Sequence, residues 1–452
     1  MALPLRRAGQ AALELFRKRF SAAWARTDRL FNILPDTETL AQPIAWRHPF
    51  IFYIGHLPAF SWNQVCGGIL QWQSFNPDFD DLFCRGIDPD VDTGECHWHP
   101  EVPDQWPSLA ETIAYRDRVR AAILDSTDAV RYCRSDDVLA QGGRVFHLVL
   151  EHEYMHQETL LYMMQQMAPG DKIRPPSARE NSSRTGAECR AVKVPAGRAR
   201  LGANFADIAF GWDNEFSEVS VEVPSFTMDS LPVTNGQFLQ FVASGGYDDE
   251  RNWCAEDRRW KELENKRYPS CWHYQDGTWR CRALFGDLPL LQVAGWPVYV
   301  SLAEARAYAK WCGKRIATEA EFHRAAFYGP NERETSYPWG EAPPSERHGN
   351  FDFASWSPAP VGSAPGGASR WGVLELYGNG WELTDTPFAP LPGFEPYMTG
   401  YPDYSQDFFN GKHFVLKGAS WATDASLLRP SFRNWYQAHY PYVFAKFCCV
   451  SD

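Results

Sequence analysis

The stretch "QGGRVFHLVLEHEYMHQETLLYMMQQM" (141–167) sets the reading of the first half of the chain. Its apolar residues recur at three- and four-residue intervals, the period of an amphipathic helix. Two glycines precede it and "APGDK" follows, so the pattern predicts one helix bounded at both ends. Inside it, His152 and His156 are four apart, and on a helix both rings leave one face and can share a metal ion. The same residues spell His152-Glu153-Tyr154-Met155-His156, the H-E-x-x-H spacing of zinc proteases, with Glu153 as general base. Glu153 reads equally well as an ordinary helix residue. A lone His on an apolar face is usually a satisfied core residue, but a pair at this spacing inside a bundle points to metal. Gln157 and Glu158 are candidates for hydrogen bonds that orient a ligand ring.

Working outward, "AALELFRKRFSAAWARTDRLFNIL" (11–34) has the same helical period. "SLAETIAYRDRVRAAILDS" (108–126) opens with Ser108 and carries Glu111 three residues later, a capping-box pattern. A further helix is predicted through "PFIFYIGHLPAFSWNQVC" (49–66). Four such helices suggest a bundle, whose core is a natural place for a metal. Two His are too few for a catalytic site, which usually needs three protein ligands and an open position. The candidates for the third are His48, His56, His97, His99 and His147. His147 falls on a different helix face from the pair. His56 faces the bundle if Phe52 and Phe60 do, and is the better candidate.

Residues 171–190 are polar and rich in Pro, Ser and Gly, and read as a linker. Beyond it short apolar runs alternate with Gly, Pro, Asn and Asp clusters, with one clear helix at "SLAEARAYAKWCG" (301–313). The expected fold is multidomain, α then α+β, with a helical domain over 1–170 and an irregular α+β domain over 191–452. The net charge of -12, from 44 basic and 56 acidic residues, argues against nucleic acid or an anionic membrane as a partner. No window approaches the length of a membrane span, and the N-terminus has no apolar run of signal-peptide length, so a cytoplasmic location is expected. The 11 cysteines are scattered without a C-x-x-C pair and read as mostly reduced and mostly buried.

Six motifs follow in order through the second half: "VPAGRARLG" (194–202), "PVTNGQFLQFV" (232–242), "WPVYVSLAEARAYAKWCGKRIATEAEFHRAAF" (296–327), "YPWG" (337–340), "GNGWELT" (378–384) and "VLKGASW" (415–421). This series resembles the formylglycine-generating-enzyme type domain, which has a C-type-lectin-like fold. The N-terminal helices with His56 and the His152/His156 pair resemble a DinB-like four-helix bundle. Together they resemble the non-haem iron sulfoxide synthases of ergothioneine and ovothiol biosynthesis and the related selenoneine synthases, over nearly the whole chain. The resemblance implies that His56, His152 and His156 bind Fe(II). It implies hercynine, the trimethylated histidine betaine, as substrate, and O2-driven C–S or C–Se bond formation at the imidazole carbon between the two nitrogens. Three neutral imidazoles leave metal positions open for substrate and oxygen, as such chemistry needs. Glu153 is then no protease base.

By the same resemblance, "FRNWYQAHYPYVF" (432–444) matches a segment whose Asn and Trp hold the betaine end of hercynine, here Asn434 and Trp435. A quaternary ammonium over an indole face gains about 0.5–2 kcal/mol. "YPDYSQDFF" (401–409) matches a loop with two Tyr three apart, so that Tyr401 takes the place of the catalytic Tyr that supplies a proton or electron, and Tyr404 that of its neighbour.

The departures bear on the second substrate. Members that use γ-glutamylcysteine carry an Asp just after the matched Trp and an Arg four residues further on, with another Arg on the bundle side. Here Tyr436 and Tyr440 stand at the first two places, and "GECHWHPE" (94–101) offers His97, Trp98 and His99 in place of the third. A bidentate carboxylate clamp is missing, and hydrogen-bonding, ring-stacking residues suit a neutral polar ligand such as a sugar. The resemblance is therefore greatest to the selenoneine branch, with a selenosugar as donor; the alternative is a thiol, cysteine or γ-glutamylcysteine. Formylglycine-generating activity itself is not expected. It relies on a copper-binding Cys pair, whereas Cys448 and Cys449 lie beyond the matched segment and read as packing residues.

Overall fold

The structure, a computed structural model, describes residues 2–84, 86, 103, 105–132, 137–176, 178–179, 181, 186–398, 401 and 404–452. The chain divides into two compact units. The first is 1–174 with two short later segments, 208–213 and 395–404; the second is the remainder. A contiguous reading of the sequence does not anticipate those two segments in the first unit.

The first unit is built on α1 (Ala2–Phe31), α2 (Phe50–Ser61), the short α3 (Pro77–Leu82), α4 (Leu109–Tyr132) and α5 (Arg144–Gln166). Helix α2 packs mainly on α4, and α1 on α5. Every residue of α2 is buried, because "FIFYIGHLPAF" is apolar all round and can only be a central helix. Pro58 lies inside α2 and cannot donate to the helix ladder, and the helix passes directly into a π-helical stretch, Trp62–Ile69. Gly55 is required by packing: a Cβ there would lie 2.5 Å from the Phe83 ring. Gly142 and Gly143, with φ of 66° and 72°, supply the left-handed turn that starts α5. Helix α1 begins nine residues earlier than its apolar period suggests.

Among its described residues the second unit holds two four-stranded sheets and two smaller ones. The strands are β1 (Ala191–Val194), β2 (Gly197–Leu201), β3 (Val219–Val223), β4 (Phe226–Asp229), β5 (Trp272–Gln275), β6 (Thr278–Ala283), β7 (Gly286–Pro289), β8 (Arg315–Ile316), β9 (Gly380–Pro387), β10 (His413–Ala419), β11 (Asn434–Gln437), β12 (Ala445–Lys446) and β13 (Cys449–Ser451). Their orders are β1-β4-β13-β8, β11-β10-β9-β12, β2-β3 and β5-β6-β7. Pairing is antiparallel except for β12 on β9. Among the described residues four α-helices accompany them: α6 (Asn235–Ala243), α7 (Ala255–Leu263), α8 (Leu302–Trp311) and α9 (Glu319–Phe327). The sequence pattern singles out α8 alone. The other three are nine residues each, too short to display more than two turns of period, although α6 and α9 both carry full capping boxes (Thr234/Gln237 and Thr318/Glu321). The core joins Met228, Phe322, Phe327, Tyr377 and Val450. Cys448 and Cys449 are buried within this unit, as packing residues. Among the described residues all nine cysteines are free, but only Cys66, Cys281, Cys448 and Cys449 are buried; Cys254 and Cys312 are exposed. "Mostly buried" therefore overstates the case.

Among the described residues, no helix is long and apolar enough to cross a membrane.

Candidate metal centre and flanking aromatic residues

Helix α5 presents His152 and His156, and α2 presents His56. Among the described residues these three form the one group of His, Cys, Asp or Glu side chains placed to hold a metal, with one ligand atom from each lying within 4.8 Å of the others. The ring centroids of His56 are 5.0 Å from His152 and 4.8 Å from His156. Nε2 of His56 lies 3.2 Å from Nε2 of His156.

The tautomer of His56 follows from its other nitrogen. Nδ1 is 2.7 Å from the carbonyl oxygen of Phe83, which can only accept, so Nδ1 carries the proton. Nε2 of the neutral ring is then a lone pair aimed at the cluster. Burial pushes the His56 pKa down to about 4. Burial, then the neighbouring His rings, also holds His152 well below the ordinary range; burial, His56 and Arg47 do the same for His156. Nδ1 of His156 is buried without a hydrogen-bond partner. Three neutral, converging imidazoles fit a divalent transition metal.

Other expectations are redistributed. His48 is buried against Phe52 and Trp106, outside the cluster. His147 lies 3.4 Å from Arg19 and stacks on Phe210. His97, Trp98 and His99 fall outside the described residues. Glu153 turns to α1, where its carboxyl group accepts from Thr27, so it faces away from the His cluster as a protease base would not. Gln157 does not orient a ligand ring: its side-chain amide donates to the Ala23 carbonyl and the Thr27 hydroxyl, both at 3.0 Å. The orienting group is instead the Phe83 carbonyl, a backbone atom that no side-chain pattern reveals.

Aromatic rings wall the cluster. Phe60 stacks on His152 at 3.6 Å with the planes 9° apart, and Phe52 stacks on His56 at 4.9 Å. Tyr401 meets the edge of Phe60 at 5.7 Å, and Tyr404 lies 5.4 Å from Tyr401. The structure thus brings both loop tyrosines into the unit that holds the three His.

The remaining predicted residues lie in the second unit. Asn434, Trp435 and Tyr436 occupy β11, an edge strand paired only with β10, and all three are half-buried. Alternation along a strand puts Trp435 on the face opposite Asn434 and Tyr436. Trp435 stacks on Phe388 at 4.4 Å with planes 6° apart. Tyr436 stacks on the buried Tyr440 at 5.4 Å, 12° apart. The sequence reading takes these two as separate substitutions; the structure makes them one stacked pair.

A helical domain carrying a three-His cluster, followed by a C-type-lectin-like domain, is the arrangement these units define. Residues 19–160 match the DinB superfamily, and residues 177–452 match the sulfatase-modifying factor enzyme 1-like domain. Over 352 residues the chain is 36% identical to the hercynine oxygenase of Mycobacterium tuberculosis, covering 76% of this chain and 78% of that protein. The hercynine oxygenase of Mycolicibacterium smegmatis is 36% identical over 365 residues, covering 80% of this chain and 82% of that one. Ergothioneine biosynthesis protein 1 of Neurospora crassa is 30% identical over 517 residues; the match covers 96% of this chain, which spans 57% of the fungal protein's length. The chain belongs to the ergothioneine-type sulfoxide synthase family of enzymes.

Proposed function

We propose that the chain joins hercynine, at the imidazole carbon between the ring nitrogens, to a small sulfur or selenium donor in an Fe(II)- and O2-dependent reaction in the cytoplasm. The observation that carries this is the buried cluster of three neutral imidazoles in a chain 36% identical to a hercynine oxygenase. His56, His152 and His156 would hold the iron, which when bound supplies the oxidising chemistry of O2. For a thiol donor the balance closes without another reductant. The imidazole C–H and the S–H are lost, one oxygen atom is added to sulfur, and the other leaves as water.

The chain's own residues supply the rest. Phe60 and Phe52 exclude water from the His rings. Tyr401 donates a proton or electron during oxygen use, and Tyr404 supports it. Asn434 and Trp435, which leave the edge strand on opposite sides, are assigned the betaine end of hercynine by the family motif they match, the indole facing the trimethylammonium. Tyr436 and Tyr440 line the donor's place.

The relatives' names favour a thiol donor, cysteine or γ-glutamylcysteine, with a sulfoxide product. The stacked Tyr436–Tyr440 pair favours a second reading: it offers no cation for a carboxylate and suits a selenosugar, whose selenoxide adduct would eliminate a selenenic acid that a thiol reductant then takes to selenoneine. Mass spectrometry of one aerobic reaction decides. Iron-loaded protein and hercynine are offered selenosugar, γ-glutamylcysteine and cysteine together. A selenium adduct of hercynine establishes the second reading. A sulfoxide adduct establishes the first. No adduct of either kind overturns both.

A further inference from the structure

Tyr401 meets Phe60, the ring that covers His152, from residues 395–404, outside the bundle's helices, so its place depends on what fixes that segment. The ring of Tyr404 stacks on Trp212 at 4.1 Å with planes 25° apart. Trp212 is fully buried, and its indole N–H donates to Oε2 of Glu151 at 2.9 Å. Glu151 is the residue before His152 on α5. The two segments are also tied to each other, since the Tyr397 hydroxyl donates to the Gly211 carbonyl. One helical turn before Glu151, His147 stacks on Phe210 with planes 7° apart, so one face of α5 grips residues 208–213 twice. From Tyr404 the contacts return: its N–H donates to the Tyr401 carbonyl at 3.2 Å, Tyr401 meets Phe60, and Phe60 covers His152. The ring of contacts begins and ends on α5, at the neighbours Glu151 and His152.

We infer that Trp212 and Glu151 are positioning residues that hold Tyr401 against the His cluster through Tyr404. Packing alone does not need a buried carboxyl group; a leucine would fill the volume. A directional N–H to carboxyl bond fixes the plane of the indole, and that plane is the surface on which Tyr404 rests. The role of Tyr401 in turnover rests on the function proposed above; the clamp on its segment does not.

The test uses the full chain. Amide hydrogen exchange at Tyr401 and Tyr404, whose N–H groups bond to Met398 and Tyr401, is followed in metal-free protein for wild type, Trp212→Phe, Glu151→Leu and Glu151→Gln. Trp212→Phe keeps a ring and loses the N–H; Glu151→Gln keeps a carbonyl acceptor. Exchange at both amides is expected to rise about tenfold or more in Trp212→Phe and Glu151→Leu, and to stay within about twofold in Glu151→Gln. In the iron-loaded enzyme, kcat is expected to fall about tenfold or more in the first two variants, with iron content and KM for hercynine unchanged. Unaltered exchange in Trp212→Phe and Glu151→Leu overturns the clamp. Raised exchange with unaltered kcat, or a kcat loss that only follows lost iron, overturns the positioning role. Tyr401→Phe is run beside them. If it turns over like wild type, the reading of Tyr401 fails, while exchange still judges the clamp.

Discussion

Both units bury polar groups, but they treat them differently. In the second unit, several buried charges are matched with opposite charges. Glu382 and Lys446, both fully buried, meet at 2.7 Å, and the Cys448 N–H adds a second donor to the carboxylate. Glu319 takes Arg433 at 3.0 Å, and Glu215 takes Arg429 at 2.5 Å and the Ser431 hydroxyl at 2.7 Å. In the first unit His56 and His152 are buried and His156 partly so, and their ring nitrogens converge on one another, Nε2 of His56 lying 3.2 Å from Nε2 of His156. A buried ion pair with its hydrogen bonds complete is a structural device. Neutral ring nitrogens that converge on one point, with no ion pair among them, are open to a metal ion.

The largest effect expected from that contrast lies in the second unit. Lys446→Met strands Glu382, and urea unfolding should show a loss of about 3–5 kcal/mol, with iron content of the folded fraction unchanged. A loss below about 1 kcal/mol would mean that water reaches the carboxylate and that the pairing is incidental.

The next separates the His cluster by pH. A His with a folded pKa of about 4 binds fewer protons than its unfolded counterpart between about pH 4 and 6.5. Stability of the metal-free protein is therefore full above about 6.5 and falls as pH drops towards 4, by about 3 kcal/mol from His56 alone. The replacement His56→Gln should flatten that slope in metal-free unfolding curves. An unchanged slope would place the titration elsewhere.

Somewhat smaller is the loss of a metal ligand. His152→Leu should weaken iron binding by more than about 100-fold in anaerobic titration, since even losing an orienting partner of a ligand commonly weakens metal binding 10–100-fold. Its metal-free stability should stay near wild type, the reverse of Lys446→Met. Gly55→Ala tests the orienting carbonyl by driving the Phe83 ring, 2.5 Å from the new Cβ, and with it the backbone that fixes His56.

How much of this the sequence discloses depends on whether the signal is local. The i and i+4 spacing of His152 and His156 is local, and it reads correctly. The aromatic neighbours of His56 place it on the inner face of α2. The Phe83 carbonyl is a backbone group far along the chain and leaves no side-chain trace. The pairing of Trp212 with Glu151 joins residues 61 apart, and the stack of Tyr404 on Trp212 joins two segments that a contiguous division assigns to the second domain. Glu153 and Gln157 mislead because both occupy the right helix. A helix has several faces, and theirs is the one that meets Thr27 on α1. Helices α6, α7 and α9 escape because nine residues are too few for a period to stand out against dense loops.

The smallest effect tests the edge strand. Trp435 is half-buried on β11, with one face of its indole against Phe388. Its proposed partner is a trimethylammonium group, and that attraction is worth about 0.5–2 kcal/mol, or about 2- to 30-fold in affinity. Trp435→Leu should raise KM for hercynine by that factor and leave kcat and iron content alone. A desamino analogue of hercynine, with the same imidazole and carboxylate but no cation, should bind wild type and variant equally. Equal penalties for both ligands would mean that Trp435 only shapes the strand, by packing on Phe388 and Phe408, and the quaternary ammonium would then need another aromatic host.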